Sequence, residues 1–114
     1  MPELTDAAAV ATLTPTLRRL LPEILPPAAR AVTLEVRAWL VTIRVFLADR
    51  IDDCDYDELE RELEPLLNDL GEREGEAWEI HLMLVRQDPR RPVRALGTVV
   101  WASSETTIDS LDPR

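Results

Sequence analysis

The sequence predicts an α+β two-layer sandwich, a four-stranded antiparallel sheet with two helices on one face, in the order α-β-β-α-β-β. Three observations predict it. Leucines recur at helical spacing in two segments, apolar and polar residues alternate with period two in four others, and the second helical segment separates the strand-like ones into two pairs. Two hairpins joined by a helix can close into one antiparallel sheet whose apolar face both helices cover. At 114 residues the chain has the size of one domain with one core. Residues 1–102 are expected to form it, with 1–13 as a further helical turn or a frayed arm, and 103–114 as a disordered tail rich in Ser, Thr and Asp.

The first helix rests on Leu17, Leu20, Leu21, Ile24 and Leu25, which follow the i, i+3, i+4, i+7, i+8 pattern. Thr14 and Pro15 stand where an N-cap and a first-turn proline belong. Pro22 is expected to kink or shorten the helix and Pro26-Pro27 to end it. From Ala31 the period becomes two: Val32, Leu34 and Val36, then Val41, Ile43, Val45 and Leu47, alternate with largely polar neighbours. The link near Ala38 lacks Gly, Asn and Asp, so the segments form either a hairpin with an unusual turn or one long bent strand; the hairpin is preferred. Asp49 to Asp57 then offer several carboxylate N-caps before Leu59, Leu63, Leu66, Leu67 and Leu70, which mark the second helix. Pro65 is expected to bend or divide it and Gly71 to cap its C-terminus. A third strand carries Trp78, Ile80, Leu82 and Leu84. The turn Asp88-Pro89-Arg90-Arg91-Pro92 leads to a fourth through Val93, Ala95, Gly97, Val99 and Trp101.

Charge narrows the partners. The formal net charge is −9, and all 13 basic residues are arginine. Such a chain lacks the clustered cations that release counterions from nucleic acid and is repelled by anionic lipid, so direct nucleic-acid and membrane partners are not expected. It attracts basic proteins, and the same charge also keeps a free protein in solution. Cys54 is the single cysteine, which rules out an intramolecular disulfide and fits a reducing compartment. The N-terminal residues lack the basic region of a secretory signal, and no run approaches the roughly 18 apolar residues of a membrane span. A cytoplasmic protein, monomeric or homodimeric, is expected.

No catalytic constellation emerges. His81 is the only histidine, so neither a histidine metal cluster nor a Cys/His nucleophile pair can be argued, and it is expected as a surface residue beside Glu79 and Met83. Asp53, Asp55, Asp57 and Glu64 match places of a calcium loop, but Glu58 stands where that loop needs Gly and the stretch is helical, which spreads its carboxylates. No cofactor, metal or catalytic residue is assigned, and the chain is not expected to be an enzyme. The acidic run either forms a solvated face that complements the helix dipole or meets a cationic partner. As a binding surface its residues are Asp52, Asp53, Asp55, Asp57, Glu60 and Glu64. Trp39, at the tip of the first hairpin, is the candidate apolar anchor, whereas Trp78 and Trp101 are expected in the core. Arg86, Arg90, Arg91 and Arg94 make a small basic cluster at the second turn that would offset the acidic helix or pair two subunits.

Arg-Ala-Val-Thr-Leu-Glu-Val from Arg30, Thr-Ile-Arg-Val-Phe-Leu from Thr42, the acidic helix, and Glu-Ile-His-Leu-Met-Leu-Val-Arg-Gln-Asp-Pro from Glu79 together resemble small acidic bacterial proteins of immunity type, partners of contact-dependent or polymorphic toxins. The likeness covers roughly Leu17 to Trp101. It departs at the second helix, where Asp-Glu-Leu-Glu-Arg-Glu-Leu replaces a Ser-Cys-rich stretch, and it transfers no functional residue by position. It implies a non-catalytic inhibitor that neutralises a basic toxin, such as a nuclease, with carboxylates standing in for a nucleic-acid substrate. Two other classes remain open: a self-associating structural or adaptor domain, and a small-molecule-binding or enzymatic domain with a pocket near His81.

Overall fold

Leu13, Leu17 and Leu21 lie four residues apart, and in a computed structural model all three are fully buried on one face of helix α1, Asp6–Ile24. The structure describes residues 6–37, 40–73, 79–95, 97–104 and 106–110. After α1 come β1 (Ala29–Arg37), β2 (Leu40–Ala48), helix α2 (Asp53–Arg73), β3 (Glu79–Gln87), β4 (Val93–Ala95), β5 (Thr98–Ala102) and β6 (Ile108–Ser110). The α+β class holds, with two helices and a four-stranded sheet. Among the described residues no helix is long and apolar enough to cross a membrane.

Both helices feed one core. Leu59, Leu63 and Leu67 of α2 join the α1 leucines on the sheet face made by Val32, Leu34, Val36, Val41, Ile43, Val45 and Leu47, with Ile80, Leu82, Leu84 and Trp101 packed at its margin. Each Leu or Val withdrawn from water in this way contributes about 1.5–3 kcal/mol before chain entropy is counted. The opposite face carries a second, smaller cluster of Ala31, Phe46 and Val93 with Val85 and Ile108 beside it.

The sheet order is β3-β2-β1-β5 and the sheet is mixed, not wholly antiparallel. The first hairpin forms as expected, with Glu35 opposite Thr42 and Val36 opposite Val41. The expected second hairpin does not. β3 instead pairs parallel to β2, Ile43 opposite Leu82, and β5 pairs antiparallel to β1 at the far edge. The reason is the crossover helix: α2 returns the chain to the starting end of β2, so the next strand runs in the same direction. The Asp88–Pro92 turn then sends the chain across the back of the sheet. There Arg30, buried on β1, donates to Gln87 Oε1 at 2.7 Å and to the carbonyls of Asp88 (3.4 Å), Pro89 (3.2 Å) and Arg91 (2.6 Å).

Four further expectations are corrected. The segment read as one fourth strand is broken at Gly97, whose φ of 84° lies in the left-handed region, into β4 and β5. The C-terminal stretch, expected as disordered, contains β6, which pairs parallel with β4 and places Ile108 opposite Val93; its one apolar residue joins the back-face cluster. Helix α1 spans Asp6–Ile24, so Thr14 lies inside it and does not cap it, and Leu13 before it joins the core. Finally, Gly71 lies inside α2 and does not cap it, and both helices continue past their internal prolines, Pro15 and Pro22 in α1 and Pro65 in α2. All three prolines are exposed, as are Ala11, Arg18 and Arg61, so the carbonyls they leave unbonded face water.

Candidate functional site

Helix α2 starts where Asp52 acts as its N-cap: Asp52 Oδ1 accepts the Cys54 N–H at 3.0 Å and its carbonyl accepts the Tyr56 N–H at 2.9 Å. With Leu59, Leu63 and Leu67 directed at the core, the exposed surface of the helix is dominated by carboxylates, with Cys54, Arg61, Pro65 and Asn68 among them. Asp52, Asp53, Asp55, Asp57, Glu58, Glu60, Glu62 and Glu64 are all exposed. Six of the seven candidate contact residues are therefore brought onto one helix and its cap. Trp39, the seventh, and Trp78 lie outside the described residues.

One of these carboxylates is paired with a cation among the described residues. Arg86, near the end of β3, reaches Asp53 at 2.8 Å and lies 4.5 Å over the Tyr56 ring. The hydrogen bond to Asp53 raises the Arg86 pKa above its ordinary value, so the guanidinium is held charged. Arg86 thus links the start of α2 to the sheet and offsets part of the acidic run, one of the two roles the sequence left open for the basic cluster. The pair is open to water, with Asp53 85% and Arg86 40% exposed, and such pairs contribute little. The remaining arginines of the cluster are occupied differently: Arg90 folds back on Asp88, and Arg94 is exposed on β4.

Further along α2, Glu60, Glu64, Leu67 and Asn68 face Ile80, His81 and Leu82 of β3 across an open cleft of about 360 Å³. Glu60, Glu64 and Asn68 repeat at i, i+4 and i+8, which is why the helix presents them as a row. The cleft borders His81, where the small-molecule-binding or enzymatic alternative placed a pocket; its acidic wall was not legible in the sequence, because it depends on β3 lying at the sheet edge beside α2. His81 is exposed, and its Nε2 lies 3.4 Å from Glu79 Oε1. Ile80 and Leu82 turn to the core face, so the His81 ring lies with Glu79 on the other face, and the cleft itself carries the Glu60 and Glu64 carboxylates and the Asn68 amide, a set that suits a cationic group.

The rest of the outer surface near β3 is mixed. On the sheet face away from the helices, Glu35 holds Arg44 at 3.3 Å and Arg37 at 3.8 Å. Met83 on β3 is 47% exposed and Leu40 on β2 is 39% exposed. Comparison with family models, with curated proteins and with solved structures gave no match. The site must be argued from its own chemistry.

Proposed function

We propose that this chain is a non-catalytic inhibitor of immunity type, cytoplasmic, which binds a basic toxin domain such as a nuclease through the acidic face of α2. One observation carries the reading: eight exposed carboxylates run from Asp52 to Glu64 on one helix and its cap, and among the described residues only Asp53 has a cationic partner. Like charges so placed repel one another in the free protein, and a cationic partner relieves that repulsion while speeding encounter. An active site that handles nucleic acid is itself cationic, so the same carboxylates can occupy the place of phosphates. Asp52, Asp53, Asp55, Asp57, Glu60 and Glu64 are the proposed contacts, with Trp39 as their apolar companion.

The test is affinity capture from the host lysate at low and at high salt, with identification and activity assay of what is retained. A basic protein held in stoichiometric amount, released by salt, and inhibited by the purified chain is the expected outcome. Capture of this chain alone, as a stable homodimer covering α2, would replace this function with the self-associating domain.

A further inference from the structure

The two edges of the sheet are guarded unequally. β5 is a five-residue edge strand, a bulge interrupts its register with β1, and Arg18 of α1 donates to the Val100 carbonyl at 3.3 Å and to the Val99 carbonyl at 3.5 Å. Short length, a bulge and a cation on the edge are the devices that stop another strand from adding. β3 is neither short nor bulged, and its one arginine, Arg86, turns to Asp53 of α2. It is a nine-residue strand in unbroken register with β2 along its whole length. The Gln87 carbonyl points toward β2, where the adjoining Asp49 N–H donates to it at 2.8 Å. Polar groups alternate sides along a strand, so the N–H and C=O groups of Leu84, Leu82 and Ile80 point outward at an edge that no strand covers among the described residues.

What stands beside that edge is negative. The cleft between α2 and β3 is lined by Glu60 and Glu64 together with Ile80, His81 and Leu82, and among the described residues no arginine lines it. If two copies of β3 paired about a two-fold axis, each would bring its own α2 carboxylates toward the other's, so charge opposes a second copy. The same charge favours an extended segment that carries cations. We propose that the β3 edge is a strand-addition site for an extended, arginine- or lysine-bearing segment of a partner protein, whose main chain pairs with Ile80, Leu82 and Leu84 while a cationic side chain enters the cleft between Glu60 and Glu64. This rests on the basic-partner function proposed above and assigns the mode of binding: backbone pairing supplies affinity, and the cleft supplies the choice of side chain.

The experiment uses the full chain at low salt with two synthetic nine-residue peptides. One alternates Arg and Val; the other carries the same arginines, each methylated on its main-chain nitrogen, with Pro in place of Val, and so has no N–H to donate to a ladder. Amide hydrogen exchange is followed residue by residue. The Arg-Val peptide is expected to slow exchange at Ile80, Leu82 and Leu84 by about tenfold or more, as new ladder bonds do, with no such slowing by the Pro peptide. The double variant Glu60→Gln, Glu64→Gln is expected to weaken the Arg-Val peptide about tenfold without altering exchange in β1. Equal perturbation of α2 by both peptides, with the three amides unchanged, would overturn strand addition and leave the acidic-face function standing. Failure of both peptides to bind would sink both. Protection of the same amides that grows with protein concentration in the absence of peptide would assign the edge to a second copy.

Discussion

Arg30 is a buried cation whose partners are an amide oxygen and three main-chain carbonyls, so its value to the fold lies in its fork of donors and not in an ion pair. Arg30→Met should lower stability by about 2 kcal/mol in urea unfolding, since the acceptors recover only part of their bonding from water. Arg30→Lys should recover only a minor share, because an ammonium cannot reach both sides of the turn. Thr33 presents the opposite case. Its hydroxyl is fully buried on β1 with no hydrogen-bond partner among the described residues, and Val has the same shape and suits a strand. Thr33→Val should raise stability by about 1 kcal/mol, read as a higher denaturant midpoint at unchanged slope. Asp88 accepts the Arg90 side chain at 3.1 and 3.2 Å and the Arg90 N–H at 2.9 Å, and these bonds hold its carboxyl below the usual aspartate value. A pKa depressed on folding contributes stability above the unfolded value, and that contribution is lost as pH falls through the lower folded value. Carboxyl NMR should therefore find Asp88 titrating below an ordinary aspartate, and Arg90→Gln should move it back up.

Elements differ in how far their sequence determined them. The first hairpin and the core face of α2 were legible because one pattern, period two or a leucine every third or fourth residue, decides them locally. The pairing of β3 was not. Its alternation through Ile80, Leu82 and Leu84 is the same for an antiparallel or a parallel partner, and only the route taken by α2 selects the parallel one. The division of the last strand had a visible signal in Gly97, which sits at positive φ with its α-carbon so close to the Leu34 carbonyl that a Cβ would collide with it. Gly97→Ala should therefore cost more than about 1 kcal/mol, measurable by thermal or urea unfolding, with exchange rising in β4 and β5 before β1 and β2. Likewise β6 was hidden among Ser, Thr and Asp because a three-residue strand with one apolar position, Ile108, carries no detectable period. The acidic face of α2 was legible residue by residue; the cleft it forms with β3 was not, because it exists only between elements far apart in sequence.

At the scale of the whole molecule, charge and topology act together. One helix covers each half of the sheet's core face, the chain crosses the back face through β4, and the consequence is an open strand edge placed beside the acidic helix. A net charge of −9 then acts as a field that accelerates a cationic partner toward that side of the molecule. The most direct measurement is the association rate constant between this chain and the basic protein that the proposed function predicts it will capture, compared with the variant Asp57→Asn, Glu60→Gln, Glu64→Gln at low and physiological salt. Association should slow about tenfold or more at low salt, the difference should shrink as salt rises, and the melting temperature should stay within about 2 °C of the parent. An unchanged association rate in a variant that folds normally would contradict binding through the acidic face.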